Sequence, residues 1–243
     1  RRHSRRFAFW LYWSRMRKGK FIVIEGTDGS GKTAQFQELV GHLKVKGIDV
    51  VTFDFPQYGK QSSYFVREYL NGQYGTWEEV GPYKASMFYA LDRYDVGWQI
   101  RRWLDEGRVV LSNRYVSSNM GHQGAKIHSP TKRKKFFAWL HELEYEILEI
   151  PKPDLTIVLH VPAPIAQSLV DKKGKREYVG GIRRDIHEAD LTHLRQAEET
   201  YLAMVKMFPR EYRLVECVEK RNLLSIDAIH ERVWKIVSRL LKV

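Results

Sequence analysis

The run Gly26-Thr27-Asp28-Gly29-Ser30-Gly31-Lys32-Thr33 limits what this chain can fold into more tightly than any other feature, because it satisfies GxxxxGK[ST] in suitable surroundings. A β-branched run, Phe21 to Glu25, precedes it, and a helical pattern opens near Lys32. Between strand and helix, glycines let the backbone wrap closely around phosphate oxygens. Amide N–H groups converge there, and the helix N-terminus adds its partial positive charge. The whole run from Gly26 to Thr33 is therefore expected to bind a nucleoside triphosphate, with Lys32 reaching the β and γ phosphates and Thr33 offering its hydroxyl to Mg2+.

Such a loop needs a parallel sheet behind it, and the rest of the chain supplies the pattern. Short apolar runs alternate with helical stretches, which predicts an α/β protein: a three-layer α/β/α fold around a five-stranded parallel sheet behind the phosphate loop. The strands are read at Phe21 to Glu25, Val50 to Phe55, Val109 to Ser112, Leu155 to Val161 and Arg213 to Cys217. Apolar spacings of three and four mark helices through Val80, Tyr83, Met87, Leu91, Tyr94 and Trp98, read as a core face. Similar spacings run through Phe136, Leu140, Leu143 and Ile147, and through Ile226, Ile229, Val233, Ile236 and Leu240. One segment, Asp171 to Arg184, resists the pattern; rich in Lys, Arg and Gly, it reads as a lid over an open site, or else as a solvated surface loop.

The net charge of +12 raises the question of a nucleic-acid partner, and its distribution answers it. Eight positive charges and no acid fall in the first 20 residues, which leaves only +4 for the remainder. Residues 1–15 mix arginine with Phe7, Phe9, Trp10, Leu11, Tyr12 and Trp13. They fit a transit peptide, a basic-aromatic arm, or a stretch outside the functional protein; Met16, just before the first strand, favours the last, with residues 16–243 as one kinase-like domain. No specific nucleic-acid partner and no membrane partner are expected. No apolar run approaches the roughly 20 residues of a membrane span. The lone Cys217 and the lack of a Cys/His cluster argue against a disulfide framework or structural zinc, and a reducing, cytoplasmic setting fits.

GTPases, motors and small-molecule kinases share the loop, but no NKxD-type guanine signature is present and the length leaves no room for a motor's further domains. A small kinase remains, and further residues point to its acceptor. Tyr89 and Arg93, four apart on one helix face, could stack on and donate to a base; core packing is the alternative for Tyr89. Arg114 leaves the C-terminal end of the third strand, where ligands of open α/β sheets bind, and its fork of donors suits a phosphate monoester.

From Met16 onward the chain resembles the thymidylate kinases. The resemblance is carried by the Asp28-bearing loop, Phe55-Pro56-Gln57-Tyr58-Gly59, Tyr89-Ala90-Leu91-Asp92-Arg93, Asn113-Arg114-Tyr115 with Ser118-Asn119, and Lys152-Pro153-Asp154-Leu155. It implies phosphorylation of dTMP to dTDP with ATP as donor and Mg2+ as cofactor, in a homodimer perhaps formed through the helix from Glu79 to Asp105. It also implies that Tyr89 and Arg93 hold the thymine, Phe55 lines the base pocket, and Arg114 with Tyr58 clamps the acceptor phosphate. Asp28 would contact the acceptor sugar, while Asn119, His122 and Glu188 would lie on the nucleoside side. Thymidylate kinases take a cation for the transferring group either from the phosphate loop or from the lid. With Gly29 in the loop, the lid is left to supply it, through Arg183 or Arg184.

One position departs from the resemblance. The family usually carries aspartate where this chain has Asn113, and an amide can accept a hydrogen bond from a metal-bound water but supplies no charge. Thr33 and Asn113 are the candidate metal-handling pair. The rivals are a deoxynucleoside kinase, against which Phe-Pro-Gln-Tyr-Gly stands in place of a Glu-x-Arg base, and a weakly active nucleotide-binding homologue.

Overall fold

The protein is described by a computed structural model over residues 19–172 and 191–243. Five parallel strands form one sheet: β1 Lys20–Gly26, β2 Val50–Asp54, β3 Val109–Asn113, β4 Leu155–His160 and β5 Tyr212–Glu216. Their order is β2-β3-β1-β4-β5, so β1 lies at the centre and the loop after it opens between β3 and β4. Alternate residues of each strand face opposite layers. Ile22, Ile24, Leu111, Ile157 and Leu159 pack with Leu39 and Leu43 of α1 (Lys32–Val45) and with Val233 and Val237 of α7 (Ile226–Leu241). On the other face, Phe21, Val23 and Val110 pack with Ile100 of α3 (Trp77–Asp105), Tyr115 and Ile150.

Between β2 and α3 lies α2 (Tyr64–Leu70), and α4 (Pro130–His141) separates β3 from β4. α5 (Ala163–Lys172) follows β4, and α6 (Leu191–Met207) precedes β5. After β5 a short antiparallel hairpin, β6 Val218–Glu219 with β7 Asn222–Leu223, leads to α7. Cys217 is buried beside β5. Among the described residues no helix is long and apolar enough to cross a membrane.

Two expectations need correction. The apolar stripe of α3 is not a core face: Tyr83, Met87, Leu91, Tyr94 and Trp98 are 43%, 47%, 43%, 53% and 59% exposed. The side of α3 that does face inward carries Ala85, Ser86, Ala90, Asp92, Arg93 and Gly97, small or polar residues that let the helix lie close to its neighbours. Hydrophobic spacing reports that a face seeks cover, not what covers it. The stripe through Leu143 and Ile147 also breaks, because α4 runs into a π-helical segment, Glu142–Ile147. Its wider turn rotates the helix face, leaving Ile147 66% exposed and carrying Glu144 fully inside.

Candidate active site

The phosphate loop has the backbone its glycines imply. At Gly26 (φ 145) a Cβ would fall 2.6 Å from Leu159 O, and at Gly29 (φ 80) it would fall 2.2 Å from Ala166 O at the start of α5. No side chain fits at position 29 without moving α5, which supports leaving the loop without a cation there. Lys32, at the first turn of α1, is buried and donates to Gly26 O (2.9 Å) and Thr27 O (2.7 Å). Its Nζ lies 3.8 Å from Asp28 Oδ1.

Arg114 enters the same cleft from the end of β3. Its amide donates to Ile24 O (3.0 Å) and its backbone is left-handed, φ 66, an uncommon state for a residue with a Cβ and one that concentrates at functional sites. Nη2 pairs with Asp28 Oδ1. Nη1 lies 3.0 Å from His122 Nε2 and 3.5 Å from Ser118 Oγ. A guanidinium can only donate, so Nε2 accepts and the imidazole is neutral, with its proton on Nδ1. The electrostatics agree: burial, with a smaller contribution from Arg114, holds the His122 pKa well below 6.5 despite the opposing Asp28 charge. Burial raises the Asp28 pKa, but Arg114 and Lys32 outweigh it and hold the carboxyl far below its usual range. Burial lowers the Arg114 pKa, but the Asp28 carboxylate outweighs it and keeps the guanidinium charged; Tyr58 is also within electrostatic reach of Arg114.

Beneath Arg114 lies a residue the sequence reading did not single out. Glu25 is fully buried; its Oε1 accepts from Tyr115 N (2.8 Å), Ser117 Oγ (2.9 Å) and Ser118 Oγ (3.0 Å), and its Oε2 from Tyr201 OH (2.9 Å). One carboxylate thus fixes the segment after Arg114 against β1 and against α6. The signal in the sequence was a single acidic residue ending an apolar strand.

Toward the acceptor side, Arg93 and Asn119 are brought together, though not as expected. Arg93 is buried, and its Nε and Nη2 each donate at 2.6 Å to Glu144, while Nη1 points to Tyr115 O at 3.4 Å. Asn119 Nδ2 donates to Glu144 Oε1 (3.2 Å) and to Ser86 O (3.1 Å). The bidentate pair commits most of the guanidinium to the fold, leaving one N–H on each Nη for any ligand. Tyr89 is partly buried, edge-on to Tyr69 with ring centres 6.4 Å apart. Phe55 is 3% exposed and packs on Tyr115 and Phe53. Asp92 organises the loop after β2, accepting from Gln57 N (2.8 Å) and Ser62 Oγ (2.6 Å). Arg183, Arg184 and Glu188, together with residues 1–15, lie outside the described residues.

Thr33 is exposed at the first turn of α1, and Asn113 ends β3. Among the described residues no three His, Cys, Asp or Glu side chains are grouped to hold a metal by themselves. Two buried oxygens there, Ser30 Oγ and Asn113 Oδ1, have no hydrogen-bond partner among the described residues. Such atoms suit a ligand that brings its own donors, as a hydrated cation on a nucleotide does.

A loop shaped for a triphosphate and an arginine of the adjacent strand share one carboxylate, so two anionic groups can meet in a single cleft. That arrangement, on this sheet, defines a P-loop nucleotide kinase. The profile described as thymidylate kinase matches residues 24–227, and the chain belongs to that family. It is 32% identical to a thymidylate kinase of Mycobacterium tuberculosis over 170 residues, covering 70% of this chain and 78% of that one. To a thymidylate kinase of Pelotomaculum thermopropionicum it is 31% identical over 217 residues, covering 87% and 92% respectively. A solved thymidylate kinase from Candida albicans shares the fold, with a TM-score of 0.67 at 21% identity, covering 91% of this chain and 92% of that one.

Proposed function

We propose that this protein transfers the γ-phosphoryl group of ATP to dTMP, yielding dTDP and ADP for deoxynucleotide biosynthesis. The observation that carries the reading is the contact of Arg114 with Asp28, which supports assigning Arg114 to the acceptor phosphate beside the loop assigned to the donor. An oxygen of the dTMP phosphate attacks the γ-phosphorus in line, the bond to the β–γ bridging oxygen breaks, and ADP leaves, with no covalent enzyme intermediate. Lys32 releases the loop carbonyls to meet the β and γ phosphates. Arg114 holds the acceptor phosphate, and the lid arginines Arg183 and Arg184 are assigned the remaining charge on the transferring group. Tyr89, Arg93, Asn119 and His122 are assigned to the nucleoside side, and Asp28 to its sugar.

Thr33 and Asn113 are the residues that would hold Mg2+, which when bound neutralises charge on the β and γ phosphates. Positioning and charge neutralisation then account for most of the rate. The exposed stripe of α3 is assigned to a homodimer contact, and the protein to the cytoplasm.

ADP release with Mg2+-ATP and each of dTMP, dUMP, dCMP, dGMP and thymidine tests the reading. Preference for dTMP is expected. Turnover of thymidine without turnover of dTMP would replace it with a nucleoside kinase.

A further inference from the structure

The ends of β2 and β3 hold an arrangement that the phosphate loop does not explain. The ladder pairs Asp54 with Asn113, and Asn113 with Ile24 on the strand that feeds the loop. Side chains alternate along a strand. Val109 and Leu111 pack into the cluster beneath α1 and α7, as does Val50 of β2, so Asn113 and Asp54 stand on that same face. α1, which contacts both β2 and β3, opens with Lys32 and Thr33. The two side chains therefore lie on the face of the sheet over which the phosphate-loop helix begins.

Asn113 is only 8% exposed, and its Nδ2 donates to Asp54 Oδ1 at 3.0 Å. The opposite orientation of the amide would set two oxygens against each other, so the carboxylate of Asp54 fixes which way the amide points. Oδ1 is left buried and without a hydrogen-bond partner among the described residues. A buried acceptor held in place by a neighbouring carboxylate is built to receive a donor from a ligand.

We propose that Asp54 and Asn113 act as one unit toward the hydrated divalent cation of the bound nucleotide. Asn113 Oδ1 accepts from a water of the cation, and Asp54 orients that amide and supplies the negative charge it lacks. Mg2+ keeps several of its waters and is commonly balanced by one or two carboxylates, so an amide-plus-carboxylate pair at its outer shell suits it. The inference rests on the nucleotide-binding reading above, and it makes Asp54 a positioning residue.

The test is Mn2+ binding, read by electron paramagnetic resonance of the free ion, with a saturating non-hydrolysable ATP analogue. Asp54→Asn is expected to weaken Mn2+ affinity about tenfold, the scale of an outer-shell loss. The exchange Asp54→Asn with Asn113→Asp, which moves the charge one strand over, is expected to restore it to within about threefold of wild type. Analogue affinity without metal should be equal in all three proteins. Should Asp54→Asn fail to fold by thermal unfolding, Asp54→Ser takes its place with the same expectation. Unchanged Mn2+ affinity in the single variant, an exchange variant as weak as the single one, or no nucleotide-dependent Mn2+ binding in the wild type would overturn the proposal. A wild type that binds Mn2+ with the analogue but phosphorylates no nucleotide would instead overturn the acceptor reading alone.

Discussion

Arg114 and Asp28 form an ion pair between the end of β3 and the phosphate loop, with Lys32 Nζ 3.8 Å from the same Asp28 oxygen. On the proposed reading, the pair holds the guanidinium ready for the acceptor phosphate. Arg114→Lys keeps the charge but loses the fork that grips Asp28 and phosphate together. Steady-state kinetics should show kcat/KM for dTMP falling about 100-fold, a loss of roughly 2.7 kcal/mol in transition-state stabilisation. Binding of ATP alone, measured by calorimetry, should change by less than about threefold, since no loop residue is replaced and a lysine still leaves a positive charge beside Asp28.

Glu25 supports that geometry from below, and Glu25→Gln turns an acceptor-only group into one that presents an NH2 to donors. Tyr115 N, Ser117 Oγ, Ser118 Oγ and Tyr201 OH cannot all be satisfied afterwards. Urea unfolding should record a loss of about 2–3 kcal/mol from the unsatisfied buried groups. A stability equal to wild type would remove Glu25 as the anchor of the segment after Arg114.

The Arg93–Glu144 pair predicts a different pattern. Both side chains are almost wholly buried, at 2% and 0% exposure. Glu144→Ala leaves a buried guanidinium without its counter-charge and should cost about 3–5 kcal/mol in chemical unfolding. Replacing both partners, as Arg93→Met with Glu144→Leu, should recover most of that stability because no buried charge remains. If Arg93 also serves the base, the double variant will be stable and yet raise KM for dTMP.

These residues mark where the sequence was legible and where it was not. All five strands lie within one residue of their expected spans; the inner strands β1, β3 and β4 are buried and read as apolar runs, while the half-exposed edge strands β2 and β5 were read from short β-branched or apolar stretches between helical patterns. The phosphate loop was plain for a related reason: its glycine spacing is dictated by close backbone approach, which Gly26 and Gly29 show directly. Glu144 was invisible because its inward turn depends on a π-helical segment that no 3.6-residue period reveals. Glu25 and Asp54 were likewise missed, since their roles arise from ladder register and burial rather than from a motif.

His122 predicts a pH dependence. Its pKa in the folded protein is depressed well below 6.5, chiefly by burial, so the unfolded chain takes up the proton first as pH falls. The contribution of this neutral imidazole is therefore present above the unfolded value of 6.5 and is lost as pH drops below it. His160, held between Glu198 and Glu216 with a raised pKa, acts in the opposite sense but is common to wild type and variant. Urea midpoints measured on either side of pH 6.5 should therefore fall less steeply for His122→Asn than for wild type as acid is added. Equal slopes would mean that the imidazole is not held neutral.

The exposed face of α3 predicts an assembly. Tyr83, Met87, Leu91, Tyr94 and Trp98 recur at spacings of three and four, the seam of a helix that packs on another helix, and yet each is over 40% exposed. The capping box, in which Thr76 Oγ1 accepts from Glu79 N (3.3 Å) and Glu79 Oε2 accepts from Thr76 N (2.7 Å), closes only the first turn, and a non-helical Gly81 (φ 73, ψ 165) separates it from the stretch that carries the seam. An apolar seam of this size facing water suits burial against a partner helix. A second copy meeting it along a two-fold axis would cover the seam with identical side chains, the commonest solution among homo-oligomers. Sedimentation velocity of the wild type should therefore report a dimer. Leu91→Glu, which puts like charges together near the middle of the seam, should shift the species to monomer while circular dichroism stays unchanged. The phosphate loop is formed by β1 and α1 within a single chain, so the monomeric variant should still bind ATP; loss of ATP binding on dissociation would mean that the dimer holds the loop in place.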